Sequence, residues 1–151
     1  MNQHFGARFR VLHCYTDQML TNALAQMNLT SSQGRILGFI AHSPTPPCPR
    51  DIEEFFTLSH PSVSGTLKRM EEKGFLEFRP DETDRRSKRI YLLPKGKDCH
   101  SQIGQTIARI EATITAGFSP AEQAQFSGFL ERALRNVGAD CCHQKKEENI
   151  P

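Results

Sequence analysis

Charged side chains crowd into one short segment of the chain, RPDETDRRSKRI, at residues 79–90. The segment holds five basic and three acidic residues. Guanidinium and ammonium groups bind phosphate oxygens, so such a cluster is typical of a surface that contacts a polyanion. The acids have a use as well, because Asp84 lies two residues before Arg86 and could hold a guanidinium in a bidentate contact. The alternative is a solvated, polar turn.

The wider charge distribution has the same bias. Residues 66–97 contain ten Lys and Arg against six Asp and Glu, a net charge of +4, whereas the whole chain carries +2. The rest of the chain therefore carries −2. Positive charge is concentrated in one segment, as a local contact with nucleic acid would require.

A second candidate surface lies just before this segment, on a helix that the pattern predicts over about 60–73. Val63, Leu67 and Met70 repeat at helical spacing and are expected to face the core. The opposite face combines small or hydroxyl-bearing residues with two cations, namely Pro61, Ser62, Ser64, Gly65, Lys68 and Arg69. Small residues allow close approach to a major groove, and polar ones can contact base edges and phosphates. On its own, this face could equally be an ordinary solvent-exposed one.

The elements that must position these residues follow from periodicity and from helix start signals. Thr30 with Gln33, and Ser119 with Glu122, have the spacing of capping boxes, and Ser59 is placed to cap the helix at 60–73. Four prolines in SPTPPCP, residues 43–49, predict a stiff connector. Six helices are predicted in all, beginning near residues 4, 31, 49, 60, 95 and 120.

After residue 73 the hydrophobic period changes from 3.6 to 2. Leu76 and Phe78 alternate with charged residues, and Ile90 and Leu92 continue this alternation beyond the charged segment, which predicts a β-hairpin with a charged tip. Gly74 supplies the left-handed residue that ends the preceding helix. A short helix, a turn, a second helix and a hairpin form the plan of a winged helix-turn-helix. The predicted fold class is therefore mainly α, an α+β winged helix, with residues 79–89 as its wing.

The 151 residues fit a single domain with a core of its own. We expect the winged helix-turn-helix at about 31–97, dimerisation helices at about 4–27 and 98–138, and a flexible tail at 139–151. A winged module is too small to cover the apolar stripes of the long terminal helices, so these helices are expected to pair in a homodimer. Two recognition helices would then reach successive major grooves. The alternative is that all the helices pack within one chain.

Several classes of protein are disfavoured by what the sequence lacks. It has no Gly-rich phosphate loop, nucleophile elbow or metal-ligand spacing, so no enzyme activity, cofactor or metal site is predicted. Its apolar runs are too short to cross a bilayer and it has no export signal at its start, so no membrane association is predicted and the cytoplasm is the default compartment.

The five cysteines are an odd number without the spacing of a disulfide framework, and we expect them to be reduced. Cys14 is interpreted as a buried structural thiol. The adjacent Cys141, Cys142 and His143 are interpreted as a coincidence of sequence, because neighbouring side chains diverge in ordinary backbone. A thiol- or metal-responsive regulator that uses these cysteines is the alternative.

Two segments with their flanking long helices resemble the MarR family of transcriptional regulators: LTSSQGRIL (29–37) and LSHPSVSGTLKRMEEKGFLEFRPDETDRRSKRIYLLPKG (58–96). The resemblance implies a homodimeric repressor that binds a pseudo-palindromic operator in double-stranded DNA and often responds to a small aromatic or phenolic effector or to an oxidant. It also implies that Asp84 organises the wing, that Arg86 enters the minor groove, and that Arg85 and Lys88 contact phosphates.

Some features depart from the family pattern. Gly65 stands where the family often has a larger polar residue, so base preference cannot be transferred to this chain. No cysteine lies near residue 6, where peroxide-sensing members have theirs, which argues against that kind of oxidant sensing. The functional alternative to DNA binding is a winged-helix module that uses its basic wing to hold an acidic protein partner.

Overall fold

The computed structural model describes residues 4–84 and 86–138. Within them the chain forms six helices and one two-stranded antiparallel sheet, so the predicted fold class and order of elements are confirmed. The predicted tail at 139–151 lies outside the described residues. The elements are α1 (Phe5–Gln26), α2 (Ser31–His42), α3 (Pro49–Phe56), α4 (His60–Glu72), β1 (Leu76–Pro80), β2 (Lys88–Leu92), α5 (Pro94–Ile114) and α6 (Pro120–Asn136).

The chain divides into two compact units after Ile110. The first unit contains α1 to α4, the hairpin of β1 and β2, and most of α5. The second unit contains the end of α5 and all of α6. None of the described helices is long and apolar enough to cross a membrane.

Two of the predicted helix starts have their predicted hydrogen bonds. At α2 the Gln33 backbone N–H donates to the Thr30 hydroxyl (3.2 Å) and the Thr30 N–H donates to Gln33 Oε1 (3.0 Å). Ser119 and Glu122 form the same reciprocal pair at α6. The prediction for Ser59 is wrong in part: it is the N-cap residue of α4, yet its side chain makes no capping bond. Pro61 is one reason, because it has no N–H to donate at the second helical position.

The core of the first unit lies where α2, α3 and α4 meet the hairpin. The predicted inner face of α4, formed by Val63, Leu67 and Met70, is fully buried, which confirms the orientation of this helix. It packs with side chains from α2, α3 and β1 and from the turn before β1, among them Ile36, Leu37, Ile52, Phe75 and Leu76. Burial of these apolar groups removes them from water and fixes which face of α4 remains outside.

The hairpin follows α4 after a tight turn. Gly74 has a positive φ of 77°, as predicted for the residue that ends the helix. The strands pair antiparallel with Leu76 opposite Leu92 and Phe78 opposite Ile90. Because side chains alternate along a strand, this register sends the charged residues between them to the other face and to the tip.

Apolar side chains remain exposed on the terminal helices. In the first unit, α1 buries Leu24 alone, and its exposed side chains include Phe5, Phe9 and Val11. In the second unit, α6 has no buried residue, and Phe129 and Val137 are 62% and 77% exposed. Exposed apolar stripes of this kind are typical of surfaces that another chain covers.

Candidate nucleic-acid interface

The outer face of α4 has the composition that the sequence predicted. Pro61, Ser62, Ser64, Lys68 and Arg69 are all exposed, opposite the buried stripe of the same helix. The hydroxyl groups lie toward the N-terminal end, where the first amides of a helix point outward. The cations lie about two turns further along. This face can therefore offer short hydrogen-bonding groups and longer cationic ones to the same partner.

Gly65 lies on this face, and packing does not require a glycine there. A Cβ atom added at Gly65 would meet only the Arg69 guanidinium, at 3.8 Å from Nη2. The missing side chain instead leaves the helix backbone open to close approach from outside. Gly65 is therefore available to a partner, and a larger residue would fit the fold at this position.

Asp81 organises the tip of the hairpin. Its Oδ1 accepts the backbone N–H of Thr83 (2.8 Å), the Thr83 hydroxyl (2.7 Å) and the backbone N–H of Asp84 (3.4 Å). Its Oδ2 accepts Nε of Arg89 (2.5 Å), and the carboxylate is buried. The hydrogen bonds from Thr83, and then that from Arg89, hold the pKa of Asp81 well below its usual range. The carboxylate is therefore ionised at neutral pH.

Asp84 also lies in the turn, although its contact differs from the one expected. Its Oδ1 accepts the backbone N–H of Arg86 (3.0 Å), whereas the sequence suggested the Arg86 guanidinium. An aspartate bonds readily to the amide two residues on, which explains the difference. The Asp84 carbonyl accepts the N–H of Ser87 (2.9 Å), so this residue helps to close the turn through two contacts with the main chain.

The cations of the wing fall into two groups. Arg86 and Lys88 are exposed, whereas Arg79 and Arg89 are engaged with carboxylates: Arg79 with Glu77, and Arg89 with Asp81. Arg85, predicted to contact phosphates, lies outside the described residues. Sequence reasoning missed the distinction between exposed and engaged arginines, because it depends on which carboxylate each side chain reaches: Glu77 on the same strand for Arg79, and Asp81 on the other side of the hairpin for Arg89.

A cavity of about 350 Å³ lies beside the hairpin, between the end of α2, the connector at 43–48, β2 and the start of α5. Ile40, Ile90 and Tyr91 supply apolar lining, and Lys97 and His100 supply polar groups. The His100 ring lies edge to face against His42, with ring centroids 4.8 Å apart. Burial, followed by repulsion from His42, lowers the pKa of His100, so this ring is neutral at pH 7 and Lys97 is the cation of the cavity.

The cysteines give limited support to a sensor. Cys14 was interpreted as a buried structural thiol, and this is wrong, because Cys14 is exposed on α1, a helix that buries Leu24 alone. Cys99 is buried, and burial raises the pKa of its thiol. No cluster of three or more metal-binding side chains occurs among the described residues. Cys141, Cys142 and His143 lie outside them.

Comparison with known proteins agrees with this geometry. The model of the MarR family matches residues 27–87, from the end of α1 to the tip of the wing. A MarR family transcriptional regulator from Clostridium acetobutylicum superposes with a TM-score of 0.75 and 27% identity, over 89% of this chain and 99% of that chain. The chain therefore resembles the MarR family, in sequence over residues 27–87 and in fold over most of its length. This is a family of transcriptional regulators, not of enzymes.

Two further relatives extend the comparison. S. aureus MepR in complex with DNA matches with a TM-score of 0.74 and 26% identity over 85% of this chain and 96% of that chain, and MepR has also been solved bound to ethidium bromide. The HTH-type regulator YybA of Bacillus subtilis is 23% identical over 95 residues, which are 63% of either chain. The match to YybA thus spans less than two thirds of that relative's length.

Proposed function

We propose that this protein is a homodimeric, sequence-specific DNA-binding regulator of the MarR type, which reads the major groove with α4 and the minor groove with the wing. The observation that carries the proposal is the outer face of α4, which presents hydroxyls, an open backbone position and cations in the same compact unit as a cation-tipped hairpin. The relative MepR, solved with DNA, supports this use of the fold. On this proposal the protein acts in the cytoplasm, with the DNA that it binds.

Each surface would have its own part in recognition. Ser62, Ser64 and the open backbone at Gly65 would meet base edges, while Lys68 and Arg69 would contact bases or phosphates along the groove. Arg86 would enter the minor groove, where a narrow groove strengthens the attraction for an arginine. Lys88, and Arg85 as the resemblance implies, would contact the flanking phosphates.

The homodimer rests on the exposed apolar side chains of α1 and α6. Large apolar groups such as Phe9 and Phe129, 48% and 62% exposed, are covered in most stable proteins. A second copy would bury them through a two-fold interface and would present two α4 helices to one duplex. The operator would then be pseudo-palindromic, as the two-fold symmetry requires.

The salt dependence of DNA binding tests the function. A duplex enriched from a random-sequence pool by the protein serves as the operator, and a scrambled duplex serves as its control. If Lys68, Arg69, Arg86 and Lys88 of two protomers neutralise phosphates, the plot of log K against log salt should have a slope of about −7, or about −9 with Arg85 included. Failure of a folded dimer to retard any duplex at 50 mM salt would reject the proposal.

The same experiment separates the main alternative. A winged-helix module that only holds an acidic protein would bind random and enriched duplexes alike, and the pool would yield no preferred sequence. Enrichment of a sequence with two half-sites about one helical turn apart would support the proposal that a dimer binds DNA.

We further propose that the regulator is a repressor whose effector binds in the cavity beside the hairpin. A volume of about 350 Å³ suits a small aromatic molecule, and the apolar lining with a single ammonium at Lys97 favours a phenolic or carboxylate-bearing one. The relative MepR, solved with ethidium bromide, supports an aromatic ligand in this family. An occupied cavity would act on the hairpin, because β2 forms one of its walls.

Salicylate is a suitable probe, with uncharged salicylamide as its matched control. Salicylate at ten times its Kd should stabilise the protein by about 1.4 kcal/mol, measured as a rise in Tm. Lys97→Ala should reduce the rise with salicylate and leave that with salicylamide unchanged. If salicylate raises the Tm of Lys97→Ala as much as it raises that of the unaltered chain, salicylate does not bind beside Lys97.

A further inference from the structure

Arg89 lies at the centre of a contact network that includes neither the α4 surface nor the exposed cations of the wing, Arg86 and Lys88. Its Nε donates to Asp81 at the tip of the hairpin (2.5 Å), and its Nη1 donates to the carbonyl of Pro46 in the connector (3.3 Å). The next residue, Ile90, donates its backbone N–H to the carbonyl of Pro47 (2.9 Å). The connector therefore runs along the free edge of β2, and one guanidinium links it to the turn of the wing.

The geometry points to Arg89 as a positioning residue for the wing, with Asp81 as its partner. We propose that this pair, held against the connector, sets the position of the exposed cations Arg86 and Lys88 on the duplex without contacting DNA itself. The inference rests on the proposed function and deepens it. Only an arginine can serve here, because its planar fork donates in two directions at once.

The electrostatic position of Arg89 supports this role. Arg89 pairs across the hairpin with Arg79, an unfavourable juxtaposition of like charges unless each is compensated. Each arginine has a carboxylate of its own, Glu77 for Arg79 and Asp81 for Arg89. The Arg89 side chain is also 37% exposed, compared with 9% for that of Asp81, so the pair is partly sheltered from solvent and from an incoming phosphate.

The proposal predicts that removal of the Asp81 carboxylate changes the affinity for DNA in the direction opposite to that expected from charge alone. A carboxylate in a hairpin that approaches DNA repels the phosphates, so its removal should strengthen binding if only long-range charge matters. If Asp81 instead holds the turn through Thr83, Asp84 and Arg89, its removal releases the tip, and binding weakens because the wing must be ordered at the moment of binding. The two effects have opposite directions.

The first comparison is between Asp81→Asn and Glu82→Gln. Both variants remove one negative charge from neighbouring positions in the same turn, and Glu82 is exposed. We expect the affinity for the enriched duplex to fall about tenfold for Asp81→Asn and to stay equal or rise for Glu82→Gln. Equal or tighter binding by both variants would overturn the proposal.

The second comparison separates positioning from phosphate contact. Lys88→Ala removes an exposed cation and should make the salt slope of the dimer shallower by about 1.8, whereas Arg89→Ala should weaken binding with the slope unchanged. Arg89→Lys keeps the charge but loses the fork, and it should weaken binding as Arg89→Ala does. Full affinity in Arg89→Lys, or a slope change in Arg89→Ala equal to that of Lys88→Ala, would show a phosphate contact and overturn the assignment.

Two controls keep the outcomes distinct. Hydrogen exchange of the Ile90 amide, which is bonded to the connector, should accelerate in Arg89→Lys while the amides of α4 keep their protection, so a local release is distinguished from unfolding. Unchanged exchange at Ile90 would count against the link. If the unaltered chain binds no duplex, both the proposed function and this inference are wrong. If it binds, and Asp81→Asn has the same affinity for the duplex as Glu82→Gln, only the inference is wrong.

Discussion

The Lys68→Ala/Arg69→Ala double variant is expected to lose about 100- to 1,000-fold in affinity for its enriched duplex while keeping the stability of the unaltered chain. Both side chains are exposed on the outer face of α4, so their loss removes no core contact. A dimer would lose four cationic contacts with DNA, and the salt slope should become shallower by about 3.6 if all four neutralise phosphates. Fluorescence anisotropy over a range of salt concentrations measures both quantities.

The matched control for this variant lies on the same helix. Glu71→Ala/Glu72→Ala also removes two exposed charged side chains from α4, but of the opposite sign and near its C-terminal end. This variant should bind as tightly as the unaltered chain or more tightly. Comparable losses in the two double variants would mean that α4 contributes through its stability alone, and the proposed role of its outer face would be wrong.

A change in the salt slope smaller than about 3.6 would indicate that not all four cations of the dimer neutralise phosphates. If Arg69 reads a base edge instead of a phosphate, the single variant Arg69→Ala should weaken binding to the enriched duplex more than to the scrambled one. Lys68→Ala, if Lys68 contacts a phosphate, should weaken both to a similar extent. The ratio of the two affinities therefore assigns each cation to base or backbone.

The features predicted well from the sequence are those that local rules determine. The stripe of Val63, Leu67 and Met70 fixes the inner face of α4 through helical spacing alone. Gly74 ends the helix because a left-handed residue is needed there, and the change of period after it marks the hairpin. Once the inner face of α4 is known, its outer face is known too, because it is the opposite side of the same helix.

The features that were missed depend on contacts between distant residues. Arg89 reaches Pro46, 43 residues earlier, and no periodicity reports such a contact. The partner of Arg89 could have been found in part, because a hairpin that pairs Pro80 with Lys88 also pairs Arg79 with Arg89, and Asp81, two residues after Arg79, then lies diagonal to Arg89 on the same face. A carboxylate beside an arginine at that point is a signal for an organising ion pair.

The errors over Cys14 and Ser59 have a related cause. Cys14 has a residue type that is usually buried, yet α1 buries Leu24 alone, so Cys14 is exposed. Ser59 has the right residue type and position for a cap, while its hydroxyl finds no amide beside Pro61. In both cases the residue type allows a role, burial for Cys14 and helix capping for Ser59, but the neighbouring residues determine whether that role is realised.

Gly96→Ala is expected to destabilise the first unit by about 3 kcal/mol, because a Cβ at this buried position would lie 2.2 Å from the carbonyl oxygen of Phe75. That oxygen cannot withdraw freely, since it accepts the N–H of Leu93 (3.0 Å) where the hairpin leads into α5. The Tm should fall by roughly 10 °C in calorimetry.

Gly104→Ala on the same helix is the control: an added Cβ there meets nothing within 4 Å, and the better helix propensity of alanine should raise stability by up to about 1 kcal/mol. Equal Tm values for the two variants would show that the start of α5 yields to the added methyl group, and that the close approach of Gly96 to Phe75 does not fix the junction between wing and α5.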